Sequence, residues 1–172
     1  MINHEESVSI INRKLTWIKN FYNLEKEYDF NYLSKTLNSN QLVSRFFNKP
    51  SLQPSLSDTW QIMDVSGCDE LLLSWQDLIM KLGQYNFHQK DRMDFFVSFE
   101  SNVGVPHVDK EDVFILGLHG KTMYTIFDKE LSEIIIEKGD MVFIPSGIMH
   151  RSISITPRSI ASLSLWSKSN NV

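Results

Sequence analysis

A chain of 172 residues, 42% hydrophobic and 22% charged, with eleven Phe and four Trp, has the apolar bulk for one packed domain with an additional segment. Its formal net charge of -4 argues against a nucleic-acid partner, because phosphate contacts need a basic face. The single cysteine, Cys68, excludes an intramolecular disulfide and a Cys-rich zinc site, and the absence of a secretory leader pattern or a membrane-length apolar run sets the expectation of a cytoplasmic protein with no membrane partner.

The hydrophobic pattern changes character near residue 90. Over residues 8–28, Ile10, Ile11, Leu15, Trp17, Ile18, Phe21, Tyr22 and Leu24 recur mostly at three- and four-residue steps, which predicts an amphipathic helix. Residues 31–48 predict one or two short helices ending before Pro50. The Pro- and Ser-rich stretch 49–60 reads as a loop, and Trp60 to Val65 as a strand. Ser74, with Asp77 three residues on and Gly83 closing the run, has the capping pattern of a further helix.

Beyond residue 90 the pattern alternates with a period of two. Strands are expected over 93–100, 113–118, 122–127, 134–137, 141–144, 151–155 and 159–166. His119-Gly120, Gly139-Asp140, Ser146-Gly147 and Thr156-Pro157 mark turns between them. Short strands at this spacing predict a sandwich or barrel. The expected organisation is an N-terminal helical segment over 1–90 and a β-barrel core over 91–172, within a single structural domain.

Two stretches carry the chemistry. In GDMVFIPSGIMH, residues 139–150, Gly139 and Asp140 turn the chain into a strand whose Val142 and Ile144 face one way and Phe143 the other. Pro145 ends the ladder for want of an N–H, and Gly147 re-aims the chain before His150. This glycine, Pro-x-Gly and His spacing matches the second motif of the cupin superfamily in full. In GVPHVDKEDVF, residues 104–114, His107 and Asp109 stand two apart, so an extended strand projects both to one face. With His150 they make two imidazoles and one carboxylate, the facial triad that suits non-haem Fe(II) and leaves coordination positions open. His107, Asp109 and His150 are thus the expected metal ligands and catalytic centre. Asp112, close behind, reads as a supporting or surface carboxylate rather than a fourth ligand.

Residues 93–166 resemble the JmjC-like branch of the cupins, the 2-oxoglutarate-dependent Fe(II) oxygenases, and most of all the ribosomal-protein hydroxylases and the asparaginyl hydroxylase that modifies a hypoxia-inducible factor. The likeness rests on VSFESNVGVPHVDKEDVFILGLHGKTMYTIF followed by IIIEKGDMVFIPSGIMHRS. It implies a mainly β fold with N-terminal helices, the cupin double-stranded β-helix or jelly-roll barrel. It also implies Fe(II), 2-oxoglutarate as cosubstrate, and hydroxylation of a protein side chain or small molecule. The family places a basic residue two positions after the hairpin glycine to hold the distal carboxylate of 2-oxoglutarate; here that position is Thr122, whose neutral hydroxyl lacks the charge. Other 2-oxoglutarate oxygenases anchor this carboxylate with an arginine at about the offset of Arg158, which shares parity with Ile160, Ser162, Ser164 and Trp166. Arg158 is therefore either the anchor or a solvated turn residue. Tyr124 either donates its hydroxyl to a carboxylate or fills the core, and Ser164 either lines the pocket or packs. A dioxygenase or isomerase that needs no 2-oxoglutarate, and a cupin that only binds a metal or small molecule, stay open beside the oxygenase reading. The N-terminal helices either pack on the outer barrel face or mediate a homodimer.

Overall fold

The structure, a computed structural model, describes residues 3–23, 31, 44–46, 59–62, 82 and 93–165. The chain opens with helix α1 (His4–Ile11). Asn3 caps it: its side chain accepts from the Glu6 N–H, and the Glu6 carboxylate accepts from the Asn3 N–H.

The helix predicted over 8–28 is not what forms in the described part of that range. After Asn12 the chain turns at Arg13, which sits in the left-handed region at φ 54, and strand β1 (Thr16–Ile18) follows. Its burial alternates, with Thr16 and Ile18 inside and Trp17 outside, a period of two rather than 3.6. The apolar residues that suggested a longer helix serve a ladder, because β1 pairs with a barrel strand along Thr16↔Phe143 to Ile18↔Met141. A second helical expectation, over 31–48, gives way at β2 (Ser44–Phe46), which pairs antiparallel with β3 (Thr59–Ile62). Pairing to a neighbouring strand overrides local propensity in both cases. The strand expected from Trp60 is β3. Leu82 is helical, as expected of the run after Ser74; the rest of that run, most of the 49–60 loop, Cys68 and Trp166 lie outside the described residues.

The C-terminal half is a run of strands: β4 (Met93–Ser98), β5 (His107–Val108), β6 (Asp112–His119), β7 (Thr122–Phe127), β8 (Leu131–Ile136), β9 (Met141–Ile144), β10 (Met149–Ser154) and β11 (Arg158–Leu165). They fold into a seven-stranded sheet ordered β1-β9-β6-β11-β4-β3-β2 and a four-stranded sheet ordered β5-β10-β7-β8, with antiparallel pairing throughout. From β4 to β11 the chain alternates between the two sheets, except at the β7–β8 hairpin, and so rolls up as a double-stranded β-helix.

The two sheets meet over an apolar core of Val113, Ile115, Tyr124, Ile126, Ile134, Ile136, Val142, Ile144 and Ile160. Each fully buried aliphatic side chain here contributes roughly 1.5–3 kcal/mol of transfer free energy. The opposite face of the larger sheet is buried as well, through Phe95, Phe114, Leu116, Phe143, Ala161 and Leu163, with the Phe114 and Phe143 rings 4.7 Å apart. Gly117 is required at the crossing of β6 and the turn before β9, since a Cβ there would lie 2.0 Å from the Glu137 carbonyl oxygen. Gly120, Gly139 and Gly147 all have positive φ, the conformation their turns demand. No helix among the described residues is long and apolar enough to cross a membrane.

Candidate metal centre

Strand register decides which side chains enter the barrel. Directly paired residues of an antiparallel ladder share a face. Tyr124 and Ile126 belong to the core, so their β10 partners Ser152 and His150 point inward, and Thr122 brings in Ser154 by the same rule. His107 then pairs with His150 across β5 and β10. Their rings stand 4.5 Å apart between centroids.

Asp109 completes the group. Its carboxylate lies 3.8 Å from Nε2 of His107 and 3.5 Å from Nε2 of His150. One ligand atom from each of the three residues falls within 4.8 Å of the others, and this is the metal-capable cluster found among the described residues. Both imidazoles are oriented by the same device. Nδ1 of His107 lies 2.9 Å from the Val105 carbonyl, and Nδ1 of His150 lies 3.0 Å from the Ile148 carbonyl. A carbonyl only accepts, so Nδ1 of each ring is the donor, and Nε2 is the nitrogen turned toward the cluster and available to a metal. Burial pushes His150 below the usual histidine range, and the neighbouring His107 acts the same way, against the Ile148 carbonyl and Asp109. A neutral imidazole is the ligating form.

The donor set of two imidazoles and one carboxylate fits a divalent transition metal. The surroundings are graded. His107 is exposed, Asp109 half-buried and His150 buried, so the cluster opens to solvent on the β5 side and to the barrel interior on the other.

Arg158 occupies that interior. It is 2% exposed and among the largest fully enclosed side chains of the described residues. Nε donates to Ser154 Oγ at 2.9 Å, while Nη1 is buried with no hydrogen-bond partner. Burial pulls its pKa down, countered by Tyr124. Leaving a buried donor unsatisfied costs about 1–3 kcal/mol, more for a charged group. Tyr124 lies between the two sites: desolvation pushes its hydroxyl up to about 12, with Arg158 lowering it and Asp109 raising it. Its ring centroid is 6.4 Å from that of His150. Thr122 is buried on the same inward face, with no basic residue at its place. Ser164 is partly buried on β11 at the inward parity set by Ile160.

Neither a protein-family profile nor a curated protein matches the sequence. Solved structures do. The ribosomal oxygenase YcfD from Escherichia coli superposes with a TM-score of 0.73 at 17% identity, over 96% of this chain and 51% of that one. The chain shares the double-stranded β-helix fold of that oxygenase. The same Escherichia coli protein in complex with cobalt and 2-oxoglutarate gives 0.65 at 17% identity over 89% of this chain and 48% of that one, and its complex with cobalt and succinic acid gives 0.67 at 17% identity over 89% and 48%. The chain thus spans about half the length of these neighbours.

Several residues of this barrel have roles that sequence reasoning did not assign. Ser154 holds the guanidinium of Arg158; the pairing needs the β10–β11 turn closed and leaves no spacing signature of its own. Asp112 is fully buried and bound to Arg13 at 2.8 Å, so it is neither a surface carboxylate nor part of the metal-capable cluster. Arg13 had no apparent partner in the sequence. Asp140, read as a turn residue, also accepts from the N–H groups of Asn20 and Glu137.

Proposed function

We propose that this chain is an Fe(II)- and 2-oxoglutarate-dependent oxygenase that hydroxylates a protein side chain or a small molecule. The observation that carries this reading is the buried Arg158 guanidinium with an unpartnered Nη1, inside the same barrel as the His107, Asp109 and His150 cluster. A protein retains a buried unpaired cation at a cost, and the cost is offset if an anion completes the site. A dicarboxylate meets both requirements: one end reaches a metal beside the triad, and the other neutralises Arg158.

His107, Asp109 and His150 would hold the metal, and cobalt with 2-oxoglutarate in the structurally similar oxygenase supports the pairing of ligands. When bound, Fe(II) supplies the redox chemistry that activates dioxygen. The protein's part is orientation and electrostatics. The Val105 and Ile148 carbonyls keep the imidazoles in the ligating tautomer. Ser154 fixes the fork of Arg158, so that a carboxylate is met by a pre-aimed donor. The Tyr124 hydroxyl, protonated through the neutral range, donates to an anion between the two sites. Thr122 and Ser164 complete the polar lining as uncharged groups. The exposed side of His107 leaves the outer approach to the substrate that is hydroxylated.

Thr122, where the oxygenases it resembles carry a basic residue, favours a second reading: a metal-dependent cupin that uses no 2-oxoglutarate. One measurement separates the two. Binding of 2-oxoglutarate is titrated with and without Fe(II) under anaerobic conditions, in wild type and in Arg158→Ala, and succinate release is followed on offering candidate peptides and metabolites. Metal-dependent binding that disappears in Arg158→Ala supports the oxygenase; absence of such binding in the wild type sinks it in favour of the second reading.

A further inference from the structure

The two loops that present the candidate ligands are tied to each other and to the N-terminal segment by one side chain. Asp112 opens β6 just after the loop that carries Asp109, and Ser146 lies in the turn between β9 and the His150 strand β10. The loops touch directly: the Ser146 N–H donates to Asp112 Oδ1 at 2.8 Å, and the Gly147 N–H donates to the Asp109 carbonyl at 3.0 Å. Over this junction lies Arg13, whose Nη2 donates to Asp112 Oδ1 at 2.8 Å and to Ser146 Oγ at 2.6 Å. Asp112 is fully enclosed and Arg13 half-buried. A buried carboxylate needs a cation and donors around it, so the position of Arg13 and the closure of the two loops are mutually dependent.

Arg13 is held in place from its own side. It lies where α1 ends, at φ 54, with its N–H donating to the Ile10 carbonyl. The following residues zip onto the barrel through β1 against β9, the Asn20 N–H on Asp140 at 2.9 Å, and the Tyr22 N–H on the Gly139 carbonyl at 3.1 Å. That pairing reaches the turn that opens the stretch ending in His150.

We infer that Arg13 is a positioning residue: it clamps the Asp109 and His150 loops together, so that metal binding at the triad and seating of residues 3–23 on the barrel are energetically coupled. This inference rests on the reading of His107, Asp109 and His150 as a metal site. Coupling of this kind is reciprocal. A bound metal steadies the N-terminal segment, and a correctly seated segment tightens the metal. Outer groups that orient ligands change metal affinity by about 10–100-fold when removed, and Arg13, acting through the loops, belongs at about tenfold.

The test uses Co(II) as the probe on the full chain. Its affinity is read from the visible absorption of the bound ion in wild type, Arg13→Met, Arg13→Lys, Ser146→Ala and His150→Ala. Separately, cleavage after Lys14 and Lys19 by a lysine-specific protease is timed with and without saturating Co(II) in wild type and Arg13→Met. Expected are an affinity about tenfold weaker in Arg13→Met, partly restored in Arg13→Lys. Co(II) slows cleavage in wild type, and this protection is lost in Arg13→Met. Equal Co(II) affinity in wild type and Arg13→Met, or equal protection by Co(II) in the two, overturns the coupling and leaves the metal site standing. A wild type that takes up no Co(II), or a His150→Ala variant that binds as wild type does, overturns the metal site and the coupling with it. If circular dichroism shows Arg13→Met unfolded, Ser146→Ala decides: weaker Co(II) binding supports the clamp, and wild-type binding refutes it.

Discussion

Two arginines, one at the rim of the barrel and one in its interior, meet opposite electrostatic conditions. Arg13 finds a carboxylate at 2.8 Å and a serine hydroxyl at 2.6 Å, all supplied by the protein. Arg158 is more deeply buried, yet its one hydrogen-bond partner among the described residues is the Ser154 hydroxyl, and Nη1 has none. A satisfied charge at an interface between segments is a structural tie. On the proposed function, the unsatisfied charge in the interior is where a ligand's carboxylate completes the electrostatics. The difference is one of partners, not of residue type.

The largest expected effect tests the interior arginine. Arg158→Met, close in volume and uncharged, should lower metal-dependent 2-oxoglutarate affinity by about two orders of magnitude, the scale of losing one partner of a buried charge pair. The same substitution should leave the melting temperature of the metal-free protein unchanged or raise it, because it removes an uncompensated buried charge. A melting temperature that falls steeply would make Arg158 structural and erase the contrast with Arg13.

Tyr124 gives the next effect, in alkaline solution. Its folded pKa of about 12 lies above the ordinary value of 10.0, so the folded state keeps the proton that the unfolded chain releases. The stability due to this residue is fully present below pH 10 and is lost as pH rises toward 12. Tyr124→Phe should therefore flatten the alkaline limb of the stability curve by on the order of 2–3 kcal/mol. Chemical denaturation across that pH range measures it, and superimposable curves for the two proteins would remove the tyrosine from the buried site.

At the rim, Asp112→Ala should cost about 1–3 kcal/mol in unfolding free energy, since it strips the Ser146 N–H and Arg13 of their acceptor while Arg13 can still reach water. Urea denaturation of the metal-free protein reads the loss. A smaller effect still is expected at the exposed Lys121–Glu137 pair, 2.7 Å apart. The lysine's hydrogen bond and charge hold Glu137 below the usual carboxylate range. Both groups are solvated, so Lys121→Ala should leave the thermal melt where it is. A marked drop there would show that exposure does not separate weak charge pairs from strong ones in this barrel.

What was legible in the sequence follows from local geometry. A ligand pair two residues apart on an extended strand, and a Gly, Pro-x-Gly and His return, are written in consecutive positions, and the strands that carry them alternate visibly. The inward face of β9, with Val142 and Ile144 in the core and Phe143 on the other side, follows from the same alternation. The N-terminal segment misled for a physical reason. Ile11, Leu15 and Ile18 recur at helical steps, yet the left-handed turn at Arg13 breaks the helix and β1 finds a partner far along the chain. Asn12 and Asn20, residue types that often close a helix or enter that conformation, were the available hint.

By itself the sequence determined the strand-rich half, its turns and the His107, Asp109 and His150 spacing, because each depends on residues near one another along the chain. Only the tertiary structure decided which charges are paired. Asp112 meets Arg13 across 99 positions and Ser146 meets Arg13 across 133, whereas Arg158 is carried to a place where Nη1 finds no acceptor. Partnership of a buried charge is set by what the closed barrel brings to it, and no local pattern encodes that.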